Sequence, residues 1–217
     1  MLGRVESESA SILLKSKIIK LAGIAGTIGP LLFGGVLLAL SFLQYDFMLG
    51  IGWQPVADPA GAWPSGLALG PYGAAQIANF MISGFLLCLF ALGLRLEIAS
   101  RYTSTSPGPT LLFVAGVAMT LMGFRTDPIE RAEPRSLHGL IHDSAFVVFV
   151  LAFLAALFFL WWGLRRDARW RGHARYTLAT GILAVLLLWL PGVAYYLFLI
   201  TLLAWIEVTA IRLWRPL

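Results

Sequence analysis

Residues 137–164, LHGLIHDSAFVVFVLAFLAALFFLWWGL, decide the fold class of this chain. No charged residue follows Asp143 in this stretch, and a transmembrane helix needs about 20 predominantly apolar residues. The stretch therefore predicts a helix that spans a membrane. Over the whole chain 59% of residues are hydrophobic and 12% are charged, against about 45–50% and about 25% in soluble domains. This composition excludes a soluble globular domain, a disordered chain and a nucleic-acid-binding module.

Outward from this segment, the sequence divides into six apolar runs without strand-like alternation. We expect an all-α bundle of six transmembrane helices, with spans at about 20–43, 72–94, 109–124, 137–164, 174–190 and 193–211. The third and fifth spans are short, and prolines and glycines bound them. The six spans predict a single transmembrane domain over residues 20–213, preceded by a cytoplasmic segment over residues 1–19.

The distribution of basic residues predicts the orientation of the bundle. With six spans, every lysine and arginine lies on one side except Arg125, Arg131 and Arg135, three of the 16 in the chain. Cytoplasmic loops carry the excess of basic residues, whereas five or seven spans would scatter them over both sides. The sequence therefore predicts a multi-pass protein of the cell membrane with both termini in the cytoplasm. The net charge of +5 is thus explained by orientation.

The first span has an alternative interpretation. Lysines precede it, and Ala39-Leu40-Ser41 loosely resembles a signal-peptide cleavage site. Because the apolar run is longer than that of a typical signal, we expect an uncleaved first helix. The external loop after it, residues 44–71, has four prolines and no basic residue, and part of it is expected along the outer surface. Its Trp53 and Trp63 are expected to anchor at the membrane interface.

Polar side chains at membrane depth gather at the outer ends of spans two, three and four. In span two, Gln76, Asn79 and Ser83 share one helix face. The other members of the set are Arg125, Asp127, His138, His142, Asp143 and Tyr195. Polar groups at this depth are costly and indicate function. We therefore predict an outward-facing pocket whose substrate-binding residues are Gln76, Asn79, Arg125, Asp143 and Tyr195.

His138 and His142 are four residues apart, so their rings project from one helix face. This spacing suits two imidazoles bound to one zinc ion. Asp127 is the best candidate for a third ligand, with Asp143 or Glu133 behind it. Two imidazoles and a carboxylate with one open position would form a hydrolytic zinc site.

A second interpretation of the histidine pair needs no metal. In it, His138 lies in interfacial water, and His142 forms a hydrogen bond with Asn79 or Asp143 inside the bundle. Haem is not expected, because two axial histidines must approach the ring from opposite faces. His138 and His142 share one face, and His173 lies on the cytoplasmic side. The sequence leaves the metal site and the hydrogen-bonded histidine open as alternatives.

The motifs around this set resemble a known family. Asn79-Phe80 comes first, followed by Phe-x-x-Asp-Pro over 124–128 and Ser-x-His-Gly-x-x-His over 136–142. This order resembles the bacterial and archaeal six-helix membrane proteins called domain-of-unknown-function family 998, over about 20–213. The resemblance implies a six-helix membrane protein of no established activity. It singles out Asp127, His138 and His142, which membrane depth had already indicated.

A looser similarity is to the intramembrane zinc hydrolases that include the alkaline ceramidases. Those proteins combine a serine, an aspartate and several histidines around zinc, and Ser83, Asp127, His138 and His142 match them by residue type. This sequence departs from their pattern by having six spans rather than seven and by lacking a third histidine. Its histidine pair also lies on span four rather than on the last span. The similarity implies a type of chemistry and assigns no family.

Three functions are consistent with these features. The first is binding of a lipid or small amphiphile in the outer pocket, or support of a membrane partner. The alternative is a metal-dependent membrane hydrolase that cleaves a lipid-like ester or amide at the outer leaflet. Its catalytic residues would be Asp127, as third ligand or general base, and Ser83 or Asn79, which would orient the substrate. Transport ranks last, because the polar residues lie near one interface rather than at the midplane. The expected partners are membrane lipids and no nucleic acid, and the oligomeric state stays open.

Overall fold

Long helices make up most of the protein, which the computed structural model describes over residues 2–99, 107–128 and 135–214. The helices are α1 Leu2–Leu43, α2 Tyr45–Gly50, α3 Gly73–Leu94, α4 Pro107–Leu121, α5 Leu137–Leu164, α6 Arg171–Trp189 and α7 Ala194–Trp214. Short 3₁₀ turns lie at Pro59–Gly61 and Ser65–Ala68, and a π-helical turn follows α3 at Arg95–Ala99. Within the described ranges there is no strand longer than an isolated bridge. The prediction of an all-helical fold is confirmed.

Four helices of the described part are long and apolar enough to cross a membrane. They are Ile12–Leu43, Gly73–Ile98, Leu137–Leu164 and Ala194–Trp214. Large apolar side chains such as Leu31, Leu151 and Ile200 are exposed on the outside of these helices. Extended exposed apolar surface of this kind marks contact with a membrane. The chain is therefore an integral, multi-pass membrane protein.

The third and fifth predicted spans are the ones that do not meet this criterion. Helix α4 has 15 residues, a length of about 22 Å, whereas the hydrocarbon core is about 30 Å thick. Helix α6 begins with Arg171, His173 and Arg175 in its first two turns. By length and composition, these two helices do not qualify as spans.

Six helices, α1 and α3 to α7, close a ring. Each packs against the next in chain order, and α7 packs back against α1. Small residues allow α3 and α4 to approach closely, since a Cβ atom on Gly84 would lie 2.5 Å from the backbone nitrogen of Thr120. A Cβ atom on Gly116 would lie 2.7 Å from the sulfur of Cys88, a free and buried thiol.

Helix α1 begins at Leu2, so residues 2–19 of the predicted cytoplasmic segment are continuous with the first span. The predicted boundary at residue 20 is therefore not a break in secondary structure. Farther along, a Cβ atom on Gly26 would lie 2.5 Å from the ring of Phe90 and 2.8 Å from the Cβ atom of Ala210. The first helix is thus packed tightly against both α3 and α7.

Residues 44–72, between α1 and α3, fold over one end of the ring. We call this segment the loop cap and that end the cap end. Met48 and Leu67 are completely buried. Gln44 holds the loop cap together, because its Nε2 donates to the oxygen of Leu67 (3.2 Å) and its Oε1 accepts from the nitrogen of Tyr72 (3.1 Å). The segment is therefore a packed part of the bundle rather than a loop spread over its surface.

The two tryptophans of the loop cap pack against other parts of the protein. Trp53 is buried. Trp63 packs edge-on against Tyr195 and Tyr196, with ring centroids 6.3 and 5.0 Å apart, and its Nε1 donates to Ser41 Oγ at 2.8 Å. Their aromatic surface fastens the loop cap to α7 and α1.

Two sequence signals bring the starts of α5 and α7 to the cap end. The hydroxyl of Ser136 accepts a hydrogen bond from the nitrogen of Gly139 (2.9 Å), which is a typical helix N-cap. Pro191 ends α6, because proline cannot continue the hydrogen-bonding pattern of a helix. Gly192, with φ of 67°, then adopts the left-handed turn that starts α7.

Candidate functional site

His142 lies in the second turn of α5 at the cap end, with 3% of its surface exposed. Its Nδ1 is 2.8 Å from the backbone oxygens of both Met122 and Phe124, which follow α4. Because a carbonyl oxygen only accepts hydrogen bonds, Nδ1 carries the proton and donates. In the neutral ring, this tautomer leaves Nε2 without a proton and with a lone pair.

The hydroxyl of Ser65 faces that lone pair. Ser65 begins the second 3₁₀ turn of the loop cap, and its Oγ is 2.7 Å from His142 Nε2. Since Nε2 carries no proton in this tautomer, Ser65 is the donor. The edge of the Phe80 ring packs against the imidazole, with centroids 5.9 Å apart and planes at 81°. The His142 ring is therefore fixed in orientation by α4, the loop cap and α3.

An apolar cavity runs through the middle of the ring on one side of this pair. Its volume is about 60 Å³, which is room for about four to six water-sized groups. Its wall is mostly Phe, Leu, Met and Gly, with Ser65, Ser83 and Tyr195 as its hydroxyl-bearing side chains. Ligand sites that are largely apolar with a few polar groups are typical of small-molecule binding.

A second and more polar space lies between the loop cap and the start of α5. This cleft measures about 290 Å³. Its polar lining includes Thr126, Asp127, His142 and Asp143. The cleft therefore collects several of the residues that the sequence predicted for an outer pocket.

One wall separates the two spaces. Ser65, Phe146 and Tyr195 line both the cavity and the cleft, and Ser65 is half-buried. The Ser65 hydroxyl thus borders apolar space on one side and polar space on the other. A ligand with a polar head and an apolar chain, bound across this wall, would have its polar–apolar junction beside Ser65.

The predicted zinc ligands do not assemble into one site. Both ring nitrogens of His142 are used in hydrogen bonds to the protein, to α4 and to Ser65 rather than to Asn79 or Asp143. His138 is exposed one turn earlier and packs edge-on against Phe124, with centroids 5.9 Å apart. In the part of the chain that the structure describes, no three His, Cys, Asp or Glu side chains are grouped to hold a metal.

Asp127 instead holds the start of α5 against the segment after α4. Its carboxylate accepts hydrogen bonds from the backbone nitrogen of Ser136, at 3.1 Å, and from the Ser136 hydroxyl. A Cβ atom on Gly139 would collide with this carboxylate. The spacing of Asp127, Ser136 and Gly139 is therefore explained by helix capping. Glu133, the other carboxylate considered as a ligand, lies outside the described residues.

The two charged residues predicted to bind substrate have different positions. Asp143 lines the cleft and forms an exposed ion pair with Arg135, at 2.8 Å. Exposed pairs of this kind contribute little to stability. Arg125 donates from Nη2 to the backbone oxygen of Leu69, at 3.0 Å. It therefore ties the loop cap to the end of α4.

The polar face of the second predicted span is almost entirely buried. Asn79 Nδ2 lies 3.3 Å from both the oxygen of Phe33 in α1 and Gln76 Oε1. Ser83 Oγ donates to Asn79 Oδ1 at 3.4 Å. Of the three predicted residues, Ser83 lines the central cavity, Asn79 links α3 to α1, and Gln76 is bonded to Asn79 within α3.

Sequence reasoning missed Ser65, which is the direct partner of His142. The two residues are 77 positions apart, and the Trp63-Pro64-Ser65-Gly66 stretch has no periodicity that would place it. The one signal in the sequence is the absence of lysine and arginine from this long loop, since a loop without these charges can pack against an apolar bundle. Tyr195, which the sequence did single out, is on the wall that the two spaces share.

Comparison with known proteins identifies a family. A family model described as protein of unknown function (DUF998) matches residues 32–214. No curated protein and no solved structure matches the chain. The similarity to the alkaline ceramidases stays a prediction from residue types.

Proposed function

Because the chain belongs to the DUF998 family of membrane proteins of unknown function, we propose its function from its own geometry: it binds a small amphiphile. The polar head occupies the cleft under the loop cap, and a short apolar chain enters the central cavity. The junction between head and chain lies at Ser65 and Tyr195.

The observation that carries this proposal is the shared wall. A strongly apolar cavity and a cleft with several polar side chains meet at Ser65, Phe146 and Tyr195. A purely apolar ligand would leave the polar cleft unused, and a purely polar ligand would gain nothing from a cavity lined by residues such as Phe149 and Phe153. The pairing of the two spaces favours a ligand that has both parts.

The proposal includes an orientation in the membrane. We place all six helices of the ring across the cell membrane, with both termini in the cytoplasm and the cap end outside. The closed ring supports this topology. Helix α4 packs between α3 and α5, and α6 packs between α5 and α7, and these three neighbours are long and apolar enough to span a membrane. The short α4 would then cross a membrane thinned around it.

The two other functions have less support. A metal-dependent hydrolase needs ligand atoms that are free to bind, and the nitrogens of His142 are both engaged. Transport needs a site accessible from both sides near the midplane, whereas the polar groups of the proposed site gather in the cleft at one end of the bundle. Binding at the cap end therefore remains the function that the geometry favours.

The binding proposal is tested with hexylphosphocholine, which has a polar head and a six-carbon chain. The protein in lipid nanodiscs is titrated while its Tm is measured. A ligand that binds only the folded state raises stability, by about 2.7 kcal/mol at 100 times its Kd. We expect a saturable rise in Tm with hexylphosphocholine and no rise with phosphocholine alone.

The matched control compares two Leu→Phe substitutions. Leu202 lines the cavity and is buried, whereas Leu183 lies on the exposed side of α6. Leu202→Phe fills the cavity and is expected to abolish the Tm rise, whereas Leu183→Phe is expected to retain it. An equal rise in both variants would contradict binding in the cavity.

A further inference from the structure

The Ser65–His142 pair has the geometry of a nucleophile and its base. A serine hydroxyl becomes a useful nucleophile when an unprotonated imidazole nitrogen within about 2.6–3.2 Å can take its proton. The Oγ–Nε2 distance is 2.7 Å, and the backbone oxygens of Met122 and Phe124 keep the proton on Nδ1. The lone pair of Nε2 therefore points at the hydroxyl proton.

The backbone oxygens also stabilise the charged form of the base. When His142 takes the Ser65 proton, the imidazolium keeps its Nδ1–H donated to Met122 and Phe124. Two carbonyl dipoles thus face the developing positive charge, in the place where a carboxylate stands in a serine–histidine–aspartate triad. His142 needs no movement to accept the proton, because both of its nitrogens are already oriented.

The position of Ser65 fits a reaction with an ester at a polar–apolar junction. The hydroxyl lies on the wall between the apolar cavity and the polar cleft. A chain held in the cavity with its head in the cleft presents the carbonyl carbon at that wall. Water reaches the same point from the cleft side.

Resting on the proposed function, we propose that Ser65 is a nucleophile and His142 its general base in the hydrolysis of short-chain esters of polar alcohols. This proposal assigns the chemistry to Ser65 in the loop cap and not to Ser83 or a metal. The loop cap is then part of the catalytic machinery as well as a cover over the bundle.

The reaction balances in two steps. First, Ser65 Oγ bonds to the carbonyl carbon while its proton moves to His142 Nε2. The carbon–oxygen bond to the alcohol then breaks, and the alcohol leaves with that proton. Second, a water from the cleft attacks the acyl-serine, gives a proton to Nε2 and forms the acid. The Ser65 oxygen leaves and recovers the proton, so ester and water yield acid and alcohol.

A fluorophosphonate coupled to a fluorophore tests the nucleophile directly. Ser65 Oγ would bond to phosphorus, the phosphorus–fluorine bond would break, and fluoride would leave together with the proton taken by His142. Labelling is measured in nanodiscs for the wild type, Ser65→Ala, His142→Gln and Ser41→Ala. Ser41 is the matched control, because its hydroxyl also contacts the loop cap, through Trp63.

We expect Ser65→Ala to abolish labelling and His142→Gln to slow it by about 10²-fold or more, while Ser41→Ala labels at the wild-type rate. Absence of labelling in the wild type, or labelling that persists in Ser65→Ala, would overturn the proposal. The Ser65→Ala comparison decides the matter even if His142→Gln does not fold. Titrating Ser65→Ala with hexylphosphocholine separates the two proposals. If Ser65→Ala binds this ligand but the wild type is not labelled by the fluorophosphonate, only the proposed chemistry is refuted and the proposed binding stands.

Discussion

Two buried histidines, one at each end of the bundle, make similar contacts with opposite consequences. His142 Nε2 is 2.7 Å from a serine hydroxyl at the cap end. His173 Nε2, near the start of α6, is 3.0 Å from the hydroxyl of Thr209 in α7. Both imidazoles are buried, so exposure of the ring does not distinguish them.

The direction of the hydrogen bond does distinguish them. Thr209 Oγ1 donates its proton to the oxygen of Trp205, at 2.6 Å, so His173 Nε2 must donate to Thr209. Ser65 instead donates to His142 Nε2. Only the pair at the cap end therefore joins a hydroxyl proton to a basic nitrogen.

Access to ligand is the second difference. Thr209 is buried between helices, with 1% of its surface exposed, and it lies in a network with Thr177 and Trp205. Ser65 is half-buried in a loop and borders two spaces. The comparison teaches that an imidazole–hydroxyl contact indicates chemistry only where its direction and its surroundings allow a reaction.

The largest expected effect concerns the opposite orientation of the two ends. In a Cys88→Ala background, Ala57→Cys in the loop cap and Gly172→Cys at the start of α6 place single exposed thiols at the two ends. A membrane-impermeant maleimide added to intact cells is expected to label residue 57 fully and residue 172 not at all. Labelling of both positions from outside would refute the six-span topology.

The next effect separates the two histidines by rate. We expect His142→Gln to lower the hydrolysis rate of p-nitrophenyl butyrate by about 10²-fold or more, because the Ser65 proton loses its acceptor. His173→Gln is expected to leave the rate per folded protein within about twofold of wild type, since His173 lies far from the cap end. Equal losses in both variants would break the distinction between the two pairs.

The size of the cavity predicts a smaller effect on substrate choice. About 60 Å³ of open space holds a butyryl chain but not a decanoyl chain without movement of the surrounding helices. We expect kcat/KM for p-nitrophenyl decanoate to be about tenfold or more below that for the butyrate. A rate that rises steadily with chain length would show that the chain lies outside the cavity.

The smallest effect is on stability, and it reverses the order of the two pairs. Thr209→Val leaves the buried Nε2 of His173 without a partner and is expected to cost about 1–3 kcal/mol. Ser65→Ala is expected to cost about 1 kcal/mol or less, because water in the cleft can replace the hydroxyl. Denaturation of both variants in the same detergent gives the comparison. A larger loss for Ser65→Ala would indicate that this pair serves stability.

Much of the fold follows from the hydropathy of the sequence and from the proline and glycine residues that end helices. The long apolar run of α5 and the Pro191-Gly192 break between α6 and α7 are readable in the sequence, because each depends on local chemistry. The continuation of α1 back to Leu2 is less readable, since polar residues at a helix end carry no periodic signal. The inward packing of the loop cap was not readable either. It depends on long-range contacts such as that of Trp63 with Tyr196.

Part of the site could also be predicted from the sequence, and the rest depends on long-range contacts. Membrane depth singled out His142, Tyr195 and the face of Asn79, because a buried polar group is costly wherever it lies. The sequence did not show that Asp127 caps α5, since helix capping and metal ligation draw on the same residue type. Ser65 left no pattern, because only the fold of the loop cap brings it to His142.

The central claim is that the loop cap places a reactive Ser65 hydroxyl against His142. The most direct measurement is tandem mass spectrometry of the wild-type protein after reaction with the fluorophosphonate, reading which residue carries the phosphonyl group. We predict that Ser65 carries it and that Ser41 and Ser83 do not. An unmodified Ser65, with or without modification at another serine, would contradict the account.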